Sequence, residues 1–339
     1  MSRSLLSVDD LGAAGIQSIM RLSDSFAEVS SRSIPRVPAL RGKTIAALFY
    51  EDSTRTRLSF EAAAKRLSAD VMSFAVKSSS MSKGESLRDT VQTLGAMGAD
   101  AFVVRHASAG AARLVSRWTD AAVVNAGDGW HEHPTQALAD CYTLHRRFGG
   151  AAFTMAGLHA VIVGDVKHSR VARSNVKAFT ALGARVTLVG PATLMPPCLD
   201  GWPVSVEVDL DRVLPDADIV YLLRLQSERT DESLLPSQRE YTARWGLTRR
   251  RAALLPGRAT VMHPGPMNRG VEIDPEVADR EFCVVGDQVR NGVPVRMAVL
   301  FWLLGSGLPT GESSGQVLAV DGGDAHQPDS IGASDEEVR

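Results

Sequence analysis

Thr44-Ile-Ala-Ala-Leu-Phe-Tyr50, then Glu51-Asp52, then Ser53-Thr-Arg-Thr-Arg57 and Leu58–Ala69 (LSFEAAAKRLSA) form the stretch that decides the fold. The first seven residues are an unbroken apolar run, the pattern of a buried strand, and Glu51 and Asp52 end it. Leu58, Ala62, Ala63 and Leu67 recur on roughly one face of a helix. A strand therefore feeds a helix, and the joint carries three hydroxyls and the guanidinium groups of Arg55 and Arg57. A helix N-terminus presents free N–H groups and the positive end of the dipole. Ser and Thr can cap it and still donate outward, and arginine adds a fork of charged donors. Such a joint suits a small dianion, most simply a phosphate. An isolated joint reads equally as a cap flanked by solvated arginines, so the rest of the chain must decide.

Working outward, the same grammar repeats. Residues 9 to 31 have helical spacing, with Leu11, Ile16, Ile19, Leu22 and Phe26. Val71–Val76 reads as a strand, Lys77–Glu85 (KSSSMSKGE) as a polar surface loop or a lid carrying Lys83, and Ser86–Met97 as a helix stopped by Gly98. Ala101–Arg105 is a strand ending in Arg105-His106, and a strand's C-terminal end is the mouth of an open α/β sheet. Ala121–Asn125 leads to Gly127-Asp-Gly-Trp-His-Glu-His-Pro-Thr-Gln136. His131 and His133 are two apart, yet no third metal ligand lies at a useful spacing. Pro134 suits the first turn of a helix over Thr135–Phe148, which puts His133 at that helix's positive end as a neutral imidazole able to donate to a carbonyl oxygen. Gln136 faces the same way.

The pattern lapses over Gly149–Gly157, the expected boundary between a first domain (1–148) and a second (149–287). The second begins with a strand at Leu158–Val163, then Gly164-Asp-Val-Lys-His-Ser-Arg170 and a helix to Leu182, whose early Arg170 and Arg173 again suit an anion. It lacks Gly-x-Gly-x-x-Gly, which argues against a dinucleotide cofactor. Strands follow at Arg185–Val189, Val204–Val208 and Ile219–Leu223, the last reaching Arg224-Leu-Gln226-Ser-Glu-Arg229. Residues 231–256 read as an exposed polar loop with short helices. Thr260–Met262 is a last strand, closing on His263-Pro-Gly-Pro-Met-Asn-Arg-Gly-Val-Glu272, where a cis X-Pro bond is expected and rigid backbone can present carbonyls to an amide. Gln288–Leu304 is a packed helix, and the tail beyond it is expected to be disordered.

Bulk properties narrow the classes. The chain has 339 residues, long enough for two domains, with net charge −2, 44% hydrophobic and 22% charged residues. That balance gives no electrostatic case for a nucleic-acid or membrane partner. Cys141, Cys198 and Cys283 are few, odd in number and far apart, which fits a reducing cytoplasm and no cysteine metal knuckle. No cofactor and no metal are expected. The cationic joints, most at strand C-terminal ends and none with a nucleophile–base pair, suit transfer between two anions by orientation and electrostatics.

Taken in order, Ser-Thr-Arg-Thr-Arg (53–57), Lys-Gly-Glu (83–85), Arg105-His106, Asn-Ala-Gly-Asp-Gly (125–129), His-Pro-Thr-Gln (133–136), Gly-Asp-x-x-x-Ser-Arg (164–170), Arg-x-Gln-x-Glu-Arg (224–229) and His-Pro-Gly-Pro-x-Asn-Arg-Gly (263–270) resemble the aspartate carbamoyltransferase catalytic chain. The resemblance covers about residues 5 to 308. It implies an α/β fold of two domains, each a mostly parallel sheet flanked by helices, with the last helix (288–305) rejoining the first domain and the tail 309–339 outside the family pattern. It implies transfer of a carbamoyl group from carbamoyl phosphate to L-aspartate, the committed step towards pyrimidines. Ser53, Thr54, Arg55, Thr56 and Arg105 would hold the phosphate; His133, Thr56 and Arg105 the carbonyl oxygen; Gln136 and the carbonyls of Gly265 and Pro266 the carbamoyl amino group. Arg170, Arg224 and Gln226 would hold aspartate. Ser79 (or Ser80) and Lys83 would reach in from the neighbouring subunit of a homotrimer, and a larger assembly with a regulatory or dihydroorotase-like chain is compatible with it.

Ornithine carbamoyltransferases also carry Ser-Thr-Arg-Thr-Arg. They typically have Cys where Thr135 stands and His-Cys-Leu-Pro where His263-Pro-Gly-Pro stands, and two carboxylate-facing arginines suit aspartate better than a cationic amine. A non-catalytic phosphate sensor should lack His133, Lys83 or Arg105, and all three are present.

Overall fold

The computed structural model of the chain describes residues 4–75, 85–149, 153–225 and 237–305. Helix α1 (Gly12–Ser30) leads into β1 (Thr44–Phe49), α2 (Thr54–Arg66), β2 (Asp70–Ala75), α3 (Leu87–Ala96), β3 (Ala101–His106), α4 (Ala111–Val115), β4 (Ala122–Asp128) and α5 (Pro134–Phe148). A second run holds β5 (His159–Val163), α6 (Arg170–Ala181), β6 (Arg185–Val189), β7 (Val204–Glu207), α7 (Leu210–Val213), β8 (Ile219–Leu222), α8 (Gln238–Trp245), α9 (Arg249–Ala252), β9 (Thr260–Met262), α10 (Pro275–Ala278) and α11 (Val285–Leu304). Ser7 opens a short 3₁₀ turn before α1 with a reciprocal capping box to Asp10.

Every strand pairing is parallel. Parallel strands are covered on both faces, so they read as continuous apolar runs; β4 and β5 are buried along their whole length. The first sheet has the order β2-β1-β3-β4 and the second β7-β6-β5-β8-β9. Both orders reverse direction: between β1 and β3 in the first, between β5 and β8 in the second. At such a reversal the following helices leave to opposite sides and a crevice opens at the strands' C-terminal ends. α11 packs against α1, α2 and α5. No helix among the described residues is long and apolar enough to cross a membrane.

Two expectations need correction. Helix α2 begins at Thr54 rather than Leu58, so Thr54–Arg57 is the helix's first turn. Ser53 is its N-cap but makes no side-chain cap bond, which leaves its hydroxyl for something else. Residues 237–256 are not an exposed loop: Tyr241, Trp245 and Leu247 are buried in the core of the second sheet. The run Arg249–Arg251 looked solvated, yet Arg251 is buried, with Nε on Asp211 Oδ1 at 2.6 Å and Nη1 donating to the Gly246 carbonyl at 2.8 Å. A lone buried guanidinium is tolerated because its donors are matched to acceptors one by one. The expected cis bond is present, at Gly265–Pro266.

Candidate active site

The two crevices face one cavity of about 410 Å³. Into it the first sheet sends Ser53, Thr54, Arg55 and Thr56 from the turn after β1, Arg105 from the end of β3, and His133 and Gln136 from the start of α5. The second sends Arg170 from the start of α6, Arg224 from beyond β8, and Gly265 and Pro266 from the loop after β9. Each of these was anticipated from the sequence. Gln226, Ser79, Ser80 and Lys83 lie outside the described residues, as do the middle of the polar loop and the tail 309–339.

Arg57 and Arg173 do not join them. One residue of helical rotation separates Arg57 from Thr56, and its guanidinium turns outward to Glu61, with Nε 3.8 Å from Oε1. Arg173 lies over the Trp202 ring, 5.4 Å from its centroid.

Local chemistry explains why the others point inward. Gly127 sits at φ +116°, and a Cβ there would come 2.9 Å from Arg105 Nη1 and 3.3 Å from Arg170 Nε. Its backbone is pinned by Asn125, whose Oδ1 accepts from Gly127 N–H at 2.9 Å while its Nδ2 donates to Asp128 Oδ1 at 2.7 Å. The Asn-Ala-Gly-Asp-Gly motif is thus a mould for two arginines. Arg105 Nη1 donates to the Ala126 carbonyl at 3.1 Å. Glu51 then bridges the lobes: its Oε2 is 3.2 Å from Arg105 Nε and accepts from Arg170 Nη2 at 2.6 Å. On the far side Glu272 accepts from Leu225 N–H at 2.8 Å and Asn268 Nδ2 at 2.7 Å, which ties the Arg224 segment to the loop after β9.

His133 is the N-cap of α5, with Pro134 in the first turn. Its backbone N–H donates to Ser174 Oγ at 2.9 Å. Burial pushes its ring pKa well below the usual 6.5, and the charges of Arg105, Arg170 and Arg296 add to that. The imidazole is therefore neutral, for a reason other than the helix dipole expected from sequence: desolvation leads. Arg55 is lowered by burial and by the charge of Arg224, so both face the same space.

Several participants escaped the sequence reading. Glu51 looked like a strand-breaker. Arg296 on α11 lines the cavity; burial lowers it to about 10, and its Nη1 donates to Ser59 Oγ at 3.0 Å and the Gly292 carbonyl at 2.8 Å. Gln288 and His263 also line it. Only Asp140 carried a readable signal, because it lies four residues after Gln136 on the same helical face. A set of this kind holds a neutral hydrogen-bond donor amid fixed cations, and it can bind anions and steady an oxygen on which charge develops. Among the described residues no cluster of His, Cys, Asp and Glu could hold a metal ion.

Residues 3–146 match the model for the aspartate/ornithine carbamoyltransferase carbamoyl-P binding domain, and residues 156–303 that for the Asp/Orn binding domain. The chain is 56% identical over 304 residues to the aspartate carbamoyltransferase catalytic subunit of Thermobifida fusca, covering 90% of this chain and 96% of that one. It is 54% identical to that of Acidothermus cellulolyticus, over 95% of this chain and 99% of the other. Among solved structures, Trypanosoma cruzi aspartate transcarbamoylase in complex with carbamoyl phosphate and aspartate superposes with a TM-score of 0.80 at 30% identity, covering 89% of this chain and 97% of that one. The catalytic subunit from M. jannaschii gives 0.77 at 36% identity, with coverages of 89% and 97%. With this fold, this cavity and these relatives, the chain belongs to the aspartate/ornithine carbamoyltransferase family, among its aspartate carbamoyltransferase catalytic subunits.

Proposed function

We propose a division of labour among the cavity residues for the reaction this enzyme catalyses, transfer of the carbamoyl group of carbamoyl phosphate to the amine of L-aspartate. Ser53, Thr54, Arg55, Thr56 and Arg105 hold the phosphate at the first turn of α2. His133, neutral at working pH, donates to the carbonyl oxygen together with Thr56 and Arg105. Gln136 and the carbonyls of Gly265 and Pro266 hold the carbamoyl NH₂. Arg170 and Arg224, assisted by Gln226, take the two carboxylates of aspartate. The deprotonated α-amine attacks the carbonyl carbon, and negative charge grows on the oxygen facing His133. The C–O bond to phosphate then breaks, and the leaving phosphate takes the amine's proton. Each well-placed donor to the developing charge contributes ~2.7–4 kcal/mol.

The observation that carries this reading is the convergence of both switch points on one cavity, with Arg55 and Arg105 from one sheet facing Arg170 and Arg224 from the other. The two sheet units, 1–148 with 288–305 and 149–287, are read as domains that close on the substrates. The product is N-carbamoyl-L-aspartate, which places the chain in pyrimidine biosynthesis. We also read the active form as a cytoplasmic homotrimer in which Ser79 and Lys83 enter a neighbour's cavity; the unpaired cysteines are in keeping with a reducing compartment.

The test is product identity. Purified chain is incubated with carbamoyl phosphate and either L-aspartate or L-ornithine, and ureido product is measured. Product with aspartate alone is expected. Product with ornithine would mean that Arg170 and Arg224 have been given the wrong roles.

A further inference from the structure

Behind the cavity lies one carboxylate that touches no substrate. Asp140 is completely buried on α5. Its Oδ1 accepts from Gln136 Nε2 at 2.9 Å and Gln288 Nε2 at 2.8 Å. Its Oδ2 accepts from Asn175 Nδ2 at 3.0 Å and the Tyr221 hydroxyl at 2.7 Å. Four donors from α5, α6, β8 and α11 thus converge on one group. Burial raises the Asp140 pKa and the four hydrogen bonds oppose that rise. With every neighbour donating, the group is held as an acceptor, the ionised form.

An acceptor-only partner has a consequence for a primary amide. A glutamine carboxamide presents NH₂ at one end and oxygen at the other, and nothing in its shape says which end faces a ligand. Asp140 claims the NH₂ of Gln136, so the oxygen is the end left for the cavity. It claims the NH₂ of Gln288 likewise, and the Gln288 oxygen then accepts from the His263 N–H at 3.0 Å. His263 is pushed down to about 3 by burial, so its ring is neutral, and its Nδ1 accepts from the Gly265 N–H at 2.8 Å. The 263–266 backbone is thereby fixed with its N–H groups turned inward to side chains.

From these contacts we propose that Asp140 is a positioning residue for specificity: by setting the polarity of Gln136, and through Gln288 and His263 that of the 263–266 loop, it makes the cavity's amide end all acceptor. Such an end takes a transferable group bearing NH₂ and rejects one bearing a methyl in the same place. The inference rests on the reading of Gln136 and the 263–266 loop as the carbamoyl NH₂ site. Rejection of an analogue that lacks a required donor is strong, because the acceptors are left buried and unpaired.

The test compares carbamoyl phosphate with acetyl phosphate, which shares the phosphate and carbonyl but carries CH₃ for NH₂. Asp140→Leu removes the acceptor while keeping the volume, and Gln288→Met cuts the branch to His263 while leaving the Asp140–Gln136 contact. For each, KM for carbamoyl phosphate and the competitive inhibition constant of acetyl phosphate are measured beside the unaltered enzyme. The expected result is a rise of about tenfold or more in the first for both variants, with the second within about twofold, so that discrimination collapses. If both constants rise together in the folded variants, Asp140 is only structural and the proposal is overturned; so too if neither moves. Should Asp140→Leu fail to fold, Gln288→Met decides alone. An unaltered enzyme that forms no ureido product from carbamoyl phosphate and aspartate refutes the underlying reaction instead, which keeps the two failures apart.

Discussion

Gly265→Ala tests the coupling between the two lobes of the site without removing any functional group. Gly265 stands at φ +63°, and an alanine Cβ there would lie 2.5 Å from Arg55 Nη1, 3.0 Å from Cζ and 3.1 Å from Nη2. Ordinary contact begins near 3.4 Å, so the guanidinium must retreat by about 0.9 Å. Two costs follow. The left-handed backbone disfavours alanine by roughly 1–2 kcal/mol, which lowers the melting temperature by ~2–4 °C in a chain of this size. A displacement of about 1 Å in a group that orients substrate costs about 10²-fold in rate, equivalent to ~2.7 kcal/mol in the barrier. The assay is steady-state kinetics with carbamoyl phosphate varied, beside a thermal melt. Gly257→Ala is the control, since a Cβ there meets nothing within 4 Å. The expected outcome is kcat/KM for carbamoyl phosphate down by about 10²-fold with the fold retained. If Gly265→Ala keeps kcat/KM within about threefold of the parent, Arg55 does not hold the phosphate in the position given to it, and the reasoning fails.

Four further outcomes are expected. His133→Asn lowers kcat by about 10²–10³-fold, and because burial keeps the His133 ring neutral, no activity step assignable to it appears between pH 6.5 and 9 in the parent enzyme. His263 should make the fold acid-sensitive: its folded pKa of about 3 lies below the unfolded 6.5, so stability is full above pH 6.5 and is lost as pH falls towards 3. Denaturant titrations at pH 7 and 5 should show less of that loss in His263→Asn than in the parent. Trp245→Ala, in the segment whose sequence looked like a surface loop, costs about 3–5 kcal/mol in a chemical melt; a loss under 1 would return 237–247 to the surface. Mixing inactive Lys83→Ala chains with inactive Arg55→Ala chains should restore turnover in mixed trimers, and no restoration would place Lys83 in its own chain's cavity.

What could be read from the sequence was whatever repeats locally. Apolar runs ending in Arg, His or Gly gave the parallel strands and the residues at their tips, so Ser53–Thr56, Arg105, His133 and Arg170 could be named before any geometry. The pairing order of the strands was not legible, because which strand lies beside which depends on long-range packing. Yet that order is what turns two sets of strand tips into one cavity. Arg57 and Arg173 were over-read for a simple reason: composition says that an arginine is near a helix start, while a rotation of 100° per residue decides which way it faces. Glu51, Arg296 and Gln288 were missed for the opposite reason, since each is an ordinary residue in its own segment and acquires a role only through neighbours far along the chain. The loop-like reading of 237–256 failed because Arg251 looks solvated unless one knows that Asp211 and the carbonyls of α8 await it.

Arg55 and Arg224 oppose each other across the cavity, and that repulsion has a consequence for the life of the protein rather than for its chemistry. The unliganded chain carries electrostatic stress that folding by itself does not discharge. Any anion that settles between the two relaxes it, and ligand that binds only the folded form adds stability as the logarithm of its free concentration, about 2.7 kcal/mol at a hundred times its dissociation constant. Resistance to heat and to proteases therefore becomes a gauge of metabolite occupancy. A chain deprived of phosphate and substrate is the one most readily unfolded and cleared.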